Sequence, residues 1–113
     1  RDVAVTGVQT CALPISWGDK NIAKLAEMFA EDVRLRDWNL TAFGREQTLI
    51  ANSNIFTSVK TCSALPLYMY QDGNTVACRL NIYINDDNAF EVLDLITFND
   101  EGKIVEILAF RGN

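Results

Sequence analysis

The residue that suggests chemistry most directly is Asp94, at the centre of a strongly alternating stretch. Residues 90–98 alternate with a period of two, which predicts a β-strand. One face of this strand is apolar except for the aspartate: Phe90, Val92, Asp94, Ile96 and Phe98. Because an isolated buried charge is costly, burial raises the pKa of such a carboxyl and favours its neutral form. A neutral carboxylic acid in an apolar pocket can donate a hydrogen bond to a carbonyl or enolate oxygen. The alternative is an aspartate that bonds to a polar neighbour, or a strand that lies less deep than its pattern suggests.

A second aspartate, Asp37, follows a shorter strand pattern. Val33, Leu35 and Asp37 fall on one face, so the aspartate emerges at the end of the strand on the side of the core. Arg34 and Arg36 lie in the same strand and a polar loop follows, which favours an ionised carboxyl. Moving a proton between carbons next to a carbonyl needs one ionised carboxylate and one neutral acid. Two aspartates in such unlike environments could supply both.

The composition excludes several other kinds of site. The chain has 113 residues, a formal net charge of −5 and 49% hydrophobic residues, which suits one globular domain. It contains no histidine, the commonest general base and metal ligand, so we expect no metal and no cofactor. The acidic balance, without a basic run, argues against nucleic acid and membrane surfaces as partners. The three cysteines show no paired spacing, which is typical of a reducing compartment and predicts a cytoplasmic protein.

The first 16 residues need separate treatment. Residues 1–15 resemble the in-frame translation of a common short-read sequencing adapter, with Val3 and Ala4 in its variable index and Ser16 where the adapter meets the insert. We therefore interpret residues 1–16 as a non-native segment and expect the first natural helix to be truncated. The alternative is a signal peptide, but the segment lacks a sustained apolar centre.

The remaining chain, residues 17–113, has the pattern of one α+β domain. A helical pattern begins after Gly18, with Asp19 as the predicted N-cap, and a second helix is predicted at residues 45–56. Four strands follow, joined by short turns, at residues 63–71, 75–84, 90–98 and 103–111. Such turns predict an antiparallel sheet with one face buried under helices.

Four stretches of the chain carry a resemblance to a known family: Gly18-Asp19, residues 28–33, residues 44–47 and residues 92–104. They resemble the nuclear transport factor 2-like superfamily, in its SnoaL-like and ketosteroid isomerase-like branch. The resemblance implies a cone-shaped α+β fold, in which a curved antiparallel sheet packs against N-terminal helices. It implies function less closely, because this superfamily hosts both enzymes and binding modules.

Within this branch, the chain is most similar to the ketosteroid isomerases. The resemblance places Asp37 at their general base and Asp94 at their neutral oxyanion-stabilising aspartate. It also implies a hydrophobic ligand pocket with walls that include Phe29, Trp38, Phe56, Val92 and Ile96. The implied partner is a small hydrophobic carbonyl compound. The implied chemistry is a proton transfer like that of a steroid Δ-isomerase, or a lyase reaction.

Several positions depart from the patterns of these enzymes. The principal tyrosine of the isomerases would fall at Cys11, inside the adapter-like segment, and two supporting tyrosines are replaced by Phe29 and Asn52. The carboxylate that SnoaL-type cyclases use on the last strand is missing from residues 108–111. Epoxide hydrolases of this fold use an aspartate–arginine–aspartate set, but an asparagine stands two residues after Arg79. We therefore interpret Arg79 as an ion-pair partner or a rim residue.

The alternative is a non-enzymatic module of the same fold that binds an apolar molecule or dimerises. Domains of this kind commonly pair through the exposed face of the sheet, and we expect a homodimer. The outward residues expected at that contact are Ala77, Leu93, Leu95, Val105 and Ile107. The two hypotheses differ in whether a cavity joins Asp37 and Asp94.

Overall fold

The computed structural model describes residues 7–112, except for the side chains of residues 7–12, 88 and 89. The described residues form three helices and six strands, in the order α1 (Gly7–Gly18), α2 (Ile22–Met28), β1 (Phe29–Arg36), β2 (Thr41–Phe43), α3 (Arg45–Ser58), β3 (Cys62–Asp72), β4 (Thr75–Ile84), β5 (Asp87–Phe98) and β6 (Ile104–Arg111). No described helix is long and apolar enough to cross a membrane.

One six-stranded sheet, in the spatial order β2-β1-β6-β5-β4-β3, carries the fold. Strands β3 to β6 pair antiparallel with their neighbours in sequence, as the turns predict. Asn85 and Asp86 join β4 to β5 with φ values of 54° and 67°, a left-handed conformation that these residue types tolerate in tight hairpins. β1 instead lies parallel to β6. The α+β class is therefore confirmed, and the parallel pair makes the sheet mixed.

The N-terminal elements differ in detail from the sequence-based prediction. Asn21, not Asp19, caps α2, since its side-chain oxygen accepts a hydrogen bond from the backbone N–H of Lys24 at 3.1 Å. β1 begins at Phe29 instead of Val33, because its first residues already pair with β6. The predicted loop after β1 also contains the short edge strand β2, which pairs antiparallel with β1.

The helices pack on one face of the sheet and enclose the hydrophobic core. Its largest fully buried apolar side chains are Phe29, Leu25, Ile96, Ile104 and Val33. α1 packs against β3, and Leu13 and Ser16 near its end are buried. These two residues belong to the segment that we interpret as adapter-derived, so part of that segment contributes to the interior here. The origin of the segment stays a prediction, and residues 1–6 lie outside the described part of the chain.

A β-bulge decides which side chains of β6 face the core. The register between β5 and β6 shifts next to Phe98, which pairs with Ile104, whereas Thr97 pairs with Glu106. The extra residue is Val105, and its insertion turns both Ile104 and Ile107 toward the interior. Ile107 is only 7% exposed, so the prediction that it lies on the outer face is wrong. A prediction from simple alternation does not account for an inserted residue, so it assigns the residues after the bulge to the wrong face.

A lysine between the first two helices closes the C-terminal end of α3. The Nζ of Lys20 donates hydrogen bonds to three main-chain carbonyls, those of Phe56 at 2.9 Å, Val59 at 2.7 Å and Lys60 at 2.9 Å. The last carbonyls of a helix have no partner within the helix, and the negative end of the helix dipole favours a cation there. Lys20 therefore joins the α1–α2 turn to α3, whose Asn52 faces the cavity described below.

Replacement of Lys20 by methionine is expected to destabilise the protein by about 2 kcal/mol, because three carbonyls lose a charged donor while the aliphatic stem is kept. The matched control is Lys24→Met. Lys24 forms an exposed pair with Glu27 at 3.6 Å, for which we expect a loss below about 0.5 kcal/mol. Urea denaturation of both variants measures the difference. Equal stability of the two variants would show that the cap contributes nothing beyond a surface contact.

Candidate active site

A cavity of about 200 Å³ lies between the sheet and the helices. Its mouth is near Trp38, a lining residue that is 40% exposed. Among the described lining residues, three carry a carboxyl or amide group: Asp37, Asn52 and Asp94. Nearly all the others are aliphatic or aromatic. The cavity is therefore an apolar space with a few polar groups, which is the usual character of a small-molecule site.

Asp94 lies in the middle of β5, where its neighbours on both sides are small. Cys78 stands opposite it on β4, and Ala109 stands opposite it on β6. Val92 and Ile96 flank it along its own strand and line the same cavity. Because the two cross-strand neighbours are short, space remains above the carboxyl instead of being filled by side chains. The sheet thus presents one acid at the floor of an apolar cavity.

The electrostatic environment of Asp94 favours its neutral form. Burial, and secondarily the negative charge of Asp37, raises the pKa of Asp94 to about 7. Protein surrounds the carboxyl closely, yet it keeps some accessible surface, because the cavity lies in front of it. Among the described residues, no group forms a hydrogen bond with this carboxyl, which lines the cavity.

Asp37 is held rigidly at the end of β1 by its own loop. Its Oδ1 accepts hydrogen bonds from the backbone N–H groups of Asn39 at 2.7 Å and Leu40 at 2.8 Å. Its backbone N–H donates to the Leu40 carbonyl at 3.0 Å, which closes the turn. These bonds occupy one carboxyl oxygen, and no described donor occupies Oδ2. The structure therefore brings Asp37 and Asp94 to the same cavity, with one carboxyl bonded to the backbone and the other in an apolar setting.

Four of the five predicted wall residues line the cavity: Phe29, Trp38, Val92 and Ile96. Phe56 does not line it. Its ring is buried in the core, edge-on to Trp17 at a centroid distance of 5.9 Å, because α3 turns this side chain toward α1 and away from the cavity. Trp17 lines the cavity instead. A helical pattern identifies the inward face of α3 but not which of two inward side chains reaches the cavity.

Phe90 is a wall residue that the sequence analysis did not assign to the site. It stands on the same alternating face as Val92 and Asp94, so the signal for it was present in the strand pattern. Its ring packs edge-on against Trp38 at 5.6 Å with an interplanar angle of 87°. Together the two rings form the aromatic rim of the cavity mouth.

No tyrosine lines the cavity among the described residues. Tyr68 and Tyr70 stack on each other at 6.4 Å and are exposed, and Tyr83 lies on the same strand face as Arg79. Asn52, at one of the supporting tyrosine positions of the isomerases, faces the cavity and donates from Nδ2 to the Thr48 carbonyl at 2.8 Å. The side chain of Cys11 lies outside the described part of the chain.

Other polar groups have structural roles. Arg79 pairs with Glu91 on the neighbouring strand at 3.2 Å, which fits its interpretation as an ion-pair partner. Within the described residues, no group of three or more histidine, cysteine, aspartate or glutamate side chains is arranged to hold a metal ion. The acid–base candidates are therefore the two aspartates of the cavity.

The sequence of the chain matches the family profile of the SnoaL-like domain over residues 15–107. The chain belongs to this family. This match confirms the predicted resemblance to SnoaL-like domains, which rests on motifs within residues 18–104. No curated protein matches its sequence significantly.

Solved structures with the fold of this SnoaL-like domain cover nearly its whole length. A proposed isomerase of the SnoaL-like family from Agrobacterium tumefaciens superposes with a TM-score of 0.83 at 14% identity, over 94% of this chain and 96% of that one. A proposed polyketide cyclase from Sinorhizobium meliloti superposes with a TM-score of 0.81 at 17% identity, over 92% of this chain and 94% of that one. The third is a Catenulispora acidiphila protein with a ketosteroid isomerase-like fold, in complex with trimethylamine. It superposes with a TM-score of 0.78 at 19% identity, over 93% of this chain and 85% of that one. At these identities the similarity establishes the fold alone.

Proposed function

We propose that this SnoaL-like domain binds a small apolar carbonyl compound and moves a proton from the carbon next to the carbonyl to the far carbon of the conjugated system. The observation that carries the proposal is the pair of aspartates on one apolar cavity, in environments that differ as an acid and a base require. Near neutral pH, a pKa of about 7 keeps about half of the Asp94 population protonated. Isomerisation of an unsaturated ketone, or a related lyase reaction, is the chemistry that such a pair supports.

The proposed reaction needs no group beyond these two side chains. The carboxylate of Asp37 removes a proton from the carbon next to the carbonyl, and the electron pair moves into an enolate. Protonated Asp94 donates a hydrogen bond to the enolate oxygen and stabilises the charge that develops there. The proton on Asp37 then returns to the far carbon of the conjugated system, which leaves an isomer with the same atoms.

The volume of the cavity limits the size of the substrate. Sites for drug-sized ligands usually measure about 300 to 1,000 Å³. The cavity here has about 200 Å³, which is small for a steroid and suits a ring system of one or two rings. We therefore propose a monocyclic or bicyclic ketone as substrate, in place of the steroid that the resemblance alone implies.

A second candidate function is a binding module without catalysis. It is favoured by the lack of tyrosine among the cavity residues, since Asp94 would then act as the sole acidic donor to an enolate. We also propose that the domain forms a homodimer through the outer face of the sheet. Leu65, Tyr68, Tyr70 and Phe110 expose 47% to 58% of their surface, and such area is suited to contact with a second copy.

The experiment that tests the proposal is a titration of Asp94 by carbon-detected NMR, with and without 2-naphthol as a bicyclic probe. We expect a pKa near 7 in the free protein and a higher value with the probe, because the probe oxygen accepts a hydrogen bond from the neutral acid. The Asp94→Asn variant assigns the resonance. Asp37→Asn should lower the pKa of Asp94, because it removes a neighbouring negative charge. A pKa near 4, unchanged by the probe, would contradict the proposal.

A further inference from the structure

Arg111 lies at the cavity mouth, on the strand face that looks toward the cavity. It stands opposite Val92 on β5 and two residues beyond Ala109, and both of these residues line the cavity. Its guanidinium carbon lies 4.2 Å from the centre of the Phe90 ring and 6.0 Å from the centre of the Trp38 ring. A guanidinium stacked on an aromatic face keeps the N–H groups at its edge free to bind a planar anion. The mouth thus carries a cation that aromatic rings hold in place.

The charge of Arg111 has no counterpart among the described residues. Two other strand arginines have carboxylate partners: Arg34 pairs with Glu106 at 3.5 Å, and Arg79 pairs with Glu91 at 3.2 Å. No described carboxylate lies within ion-pair distance of Arg111. Asp37, next to Trp38 in sequence, accepts hydrogen bonds from the backbone of its own loop instead. A cationic group beside an apolar cavity, with its donors unused, is suited to an anionic end of a ligand.

We propose that Arg111 binds a carboxylate of the substrate, and that the substrate is therefore an oxo acid with an apolar ring or short chain between its two oxygen-bearing ends. This inference rests on the proposed function and deepens it by naming the substrate class. In the register of the sheet, Arg111 lies two residues along β6 from Ala109, the partner of Asp94, which is about 7 Å along the strand. A ligand that spans this separation places its carbonyl on Asp94 and its carboxylate on Arg111, at the solvent-exposed mouth of the cavity. The two aspartates also repel an anion from the cavity floor, so the ligand enters in one orientation.

The test compares two probes of nearly equal shape, 4-acetylbenzoate and 4-acetylbenzamide. Both place an acetyl carbonyl across one ring from the second group, and they differ in charge. We expect the protein to bind the acid about tenfold more tightly than the amide, the scale of a partly exposed charge-assisted pair. Arg111→Gln should abolish this preference and leave the affinity for the amide unchanged. High salt should reduce the preference in the same direction, because it screens an exposed pair.

Arg34→Gln is the matched control, since it removes one strand arginine that lies outside the cavity. It should keep the full preference for the acid. Equal affinity for the two probes, or a preference that survives in Arg111→Gln, would overturn the inference. Arg111 would then only pack against the Phe90 ring. Thermal denaturation of each variant checks that the fold is intact.

The outcome for Arg111 is separable from the outcome for the proton-transfer proposal. An acid preference that depends on Arg111, together with an ordinary pKa for Asp94, would support the ligand class and reject the chemistry. Tight binding of both probes, with an Asp94 resonance that responds to each, would support the chemistry and reject the role of Arg111. Failure of both probes to bind would overturn the inference, because the cavity would then accept no ligand of this class.

Discussion

At about pH 8, the Asp94→Asn variant is expected to be more stable than the wild-type protein by about 4 kcal/mol. The pKa of Asp94 rises from 3.8 to about 7 on folding, chiefly through burial. One pKa unit corresponds to about 1.4 kcal/mol, and the shift spans about three units. An amide of the same shape carries no charge at any of these pH values. It therefore avoids the cost of ionising a carboxyl that the fold has taken out of water.

The direction of the pH dependence follows from proton binding. Between pH 3.8 and about 7, the folded protein holds a proton on Asp94 that the unfolded chain has released. The stability that this proton contributes is fully present below the unfolded pKa and is lost as the pH rises through the folded pKa. The wild-type protein should thus lose up to about 1.4 kcal/mol per pH unit in this window, from this residue alone. Above about pH 7 the loss from Asp94 is complete.

Urea denaturation at about pH 4.5, 6 and 8, at one fixed protein concentration, measures the difference between wild type and Asp94→Asn. Taking the difference isolates the contribution of Asp94 from those of the groups that both proteins share. Asp19→Asn is the matched control, because it makes the same change at an exposed position outside the cavity. Parallel profiles for the wild type and Asp94→Asn would show that the Asp94 carboxyl is solvated in the folded protein.

Asp37→Asn is expected to lower the rate of a carbonyl isomerisation by about a hundredfold to ten-thousandfold, the range for loss of a general base. The assay reaction is conversion of 3-cyclohexen-1-one to its conjugated isomer, a substrate with one ring that suits a cavity of about 200 Å³. The asparagine keeps the side-chain oxygen that accepts the two backbone hydrogen bonds of the turn. The fold should therefore be unaffected, and kcat should fall because an amide does not take up the proton.

Ultraviolet absorbance of the conjugated product gives the rate, and deuterium incorporation in heavy water reports the proton transfer itself. Asp94→Asn should have a smaller effect than Asp37→Asn, because the amide still donates a hydrogen bond to the enolate oxygen. Asp19→Asn again serves as the control and should retain the full rate. A rate in Asp37→Asn equal to that of the wild type would remove the general-base role. If the wild-type protein gave no turnover while 2-naphthol still bound, the binding-module hypothesis would be favoured.

Much of the central sheet was predictable from local sequence. The alternation of residues 90–98 correctly placed Val92, Asp94 and Ile96 on the cavity side, because consecutive side chains of a strand point to opposite faces. The short turns between strands correctly predicted an antiparallel arrangement of β3 to β6, since a tight hairpin can join strands only in that way. These features depend on neighbours in sequence. They could be derived before any long-range contact was known.

Other features were decided by contacts between distant parts of the chain. Asp37 reaches the cavity because β1 lies parallel to β6, which is a pairing between the two ends of the domain that no local pattern encodes. The bulge at Val105 turned Ile107 inward, and the orientation of α3 directed the Phe56 ring to Trp17. In each case, a one-residue register shift or a helix rotation changes the face that a side chain occupies.

The sequence by itself determined the α+β class, the antiparallel strands β3 to β6 and the inward direction of Asp94, since these follow from the period of the side chains and the chemistry of the turns. The tertiary structure decided that Asp37 and Asp94 share one cavity, how large that cavity is, and that Arg111 stands at its mouth. The physical reason is that burial, cavity volume and charge interactions depend on which distant strands and helices meet. These long-range contacts form when the whole domain packs, and the local sequence around each residue does not specify them.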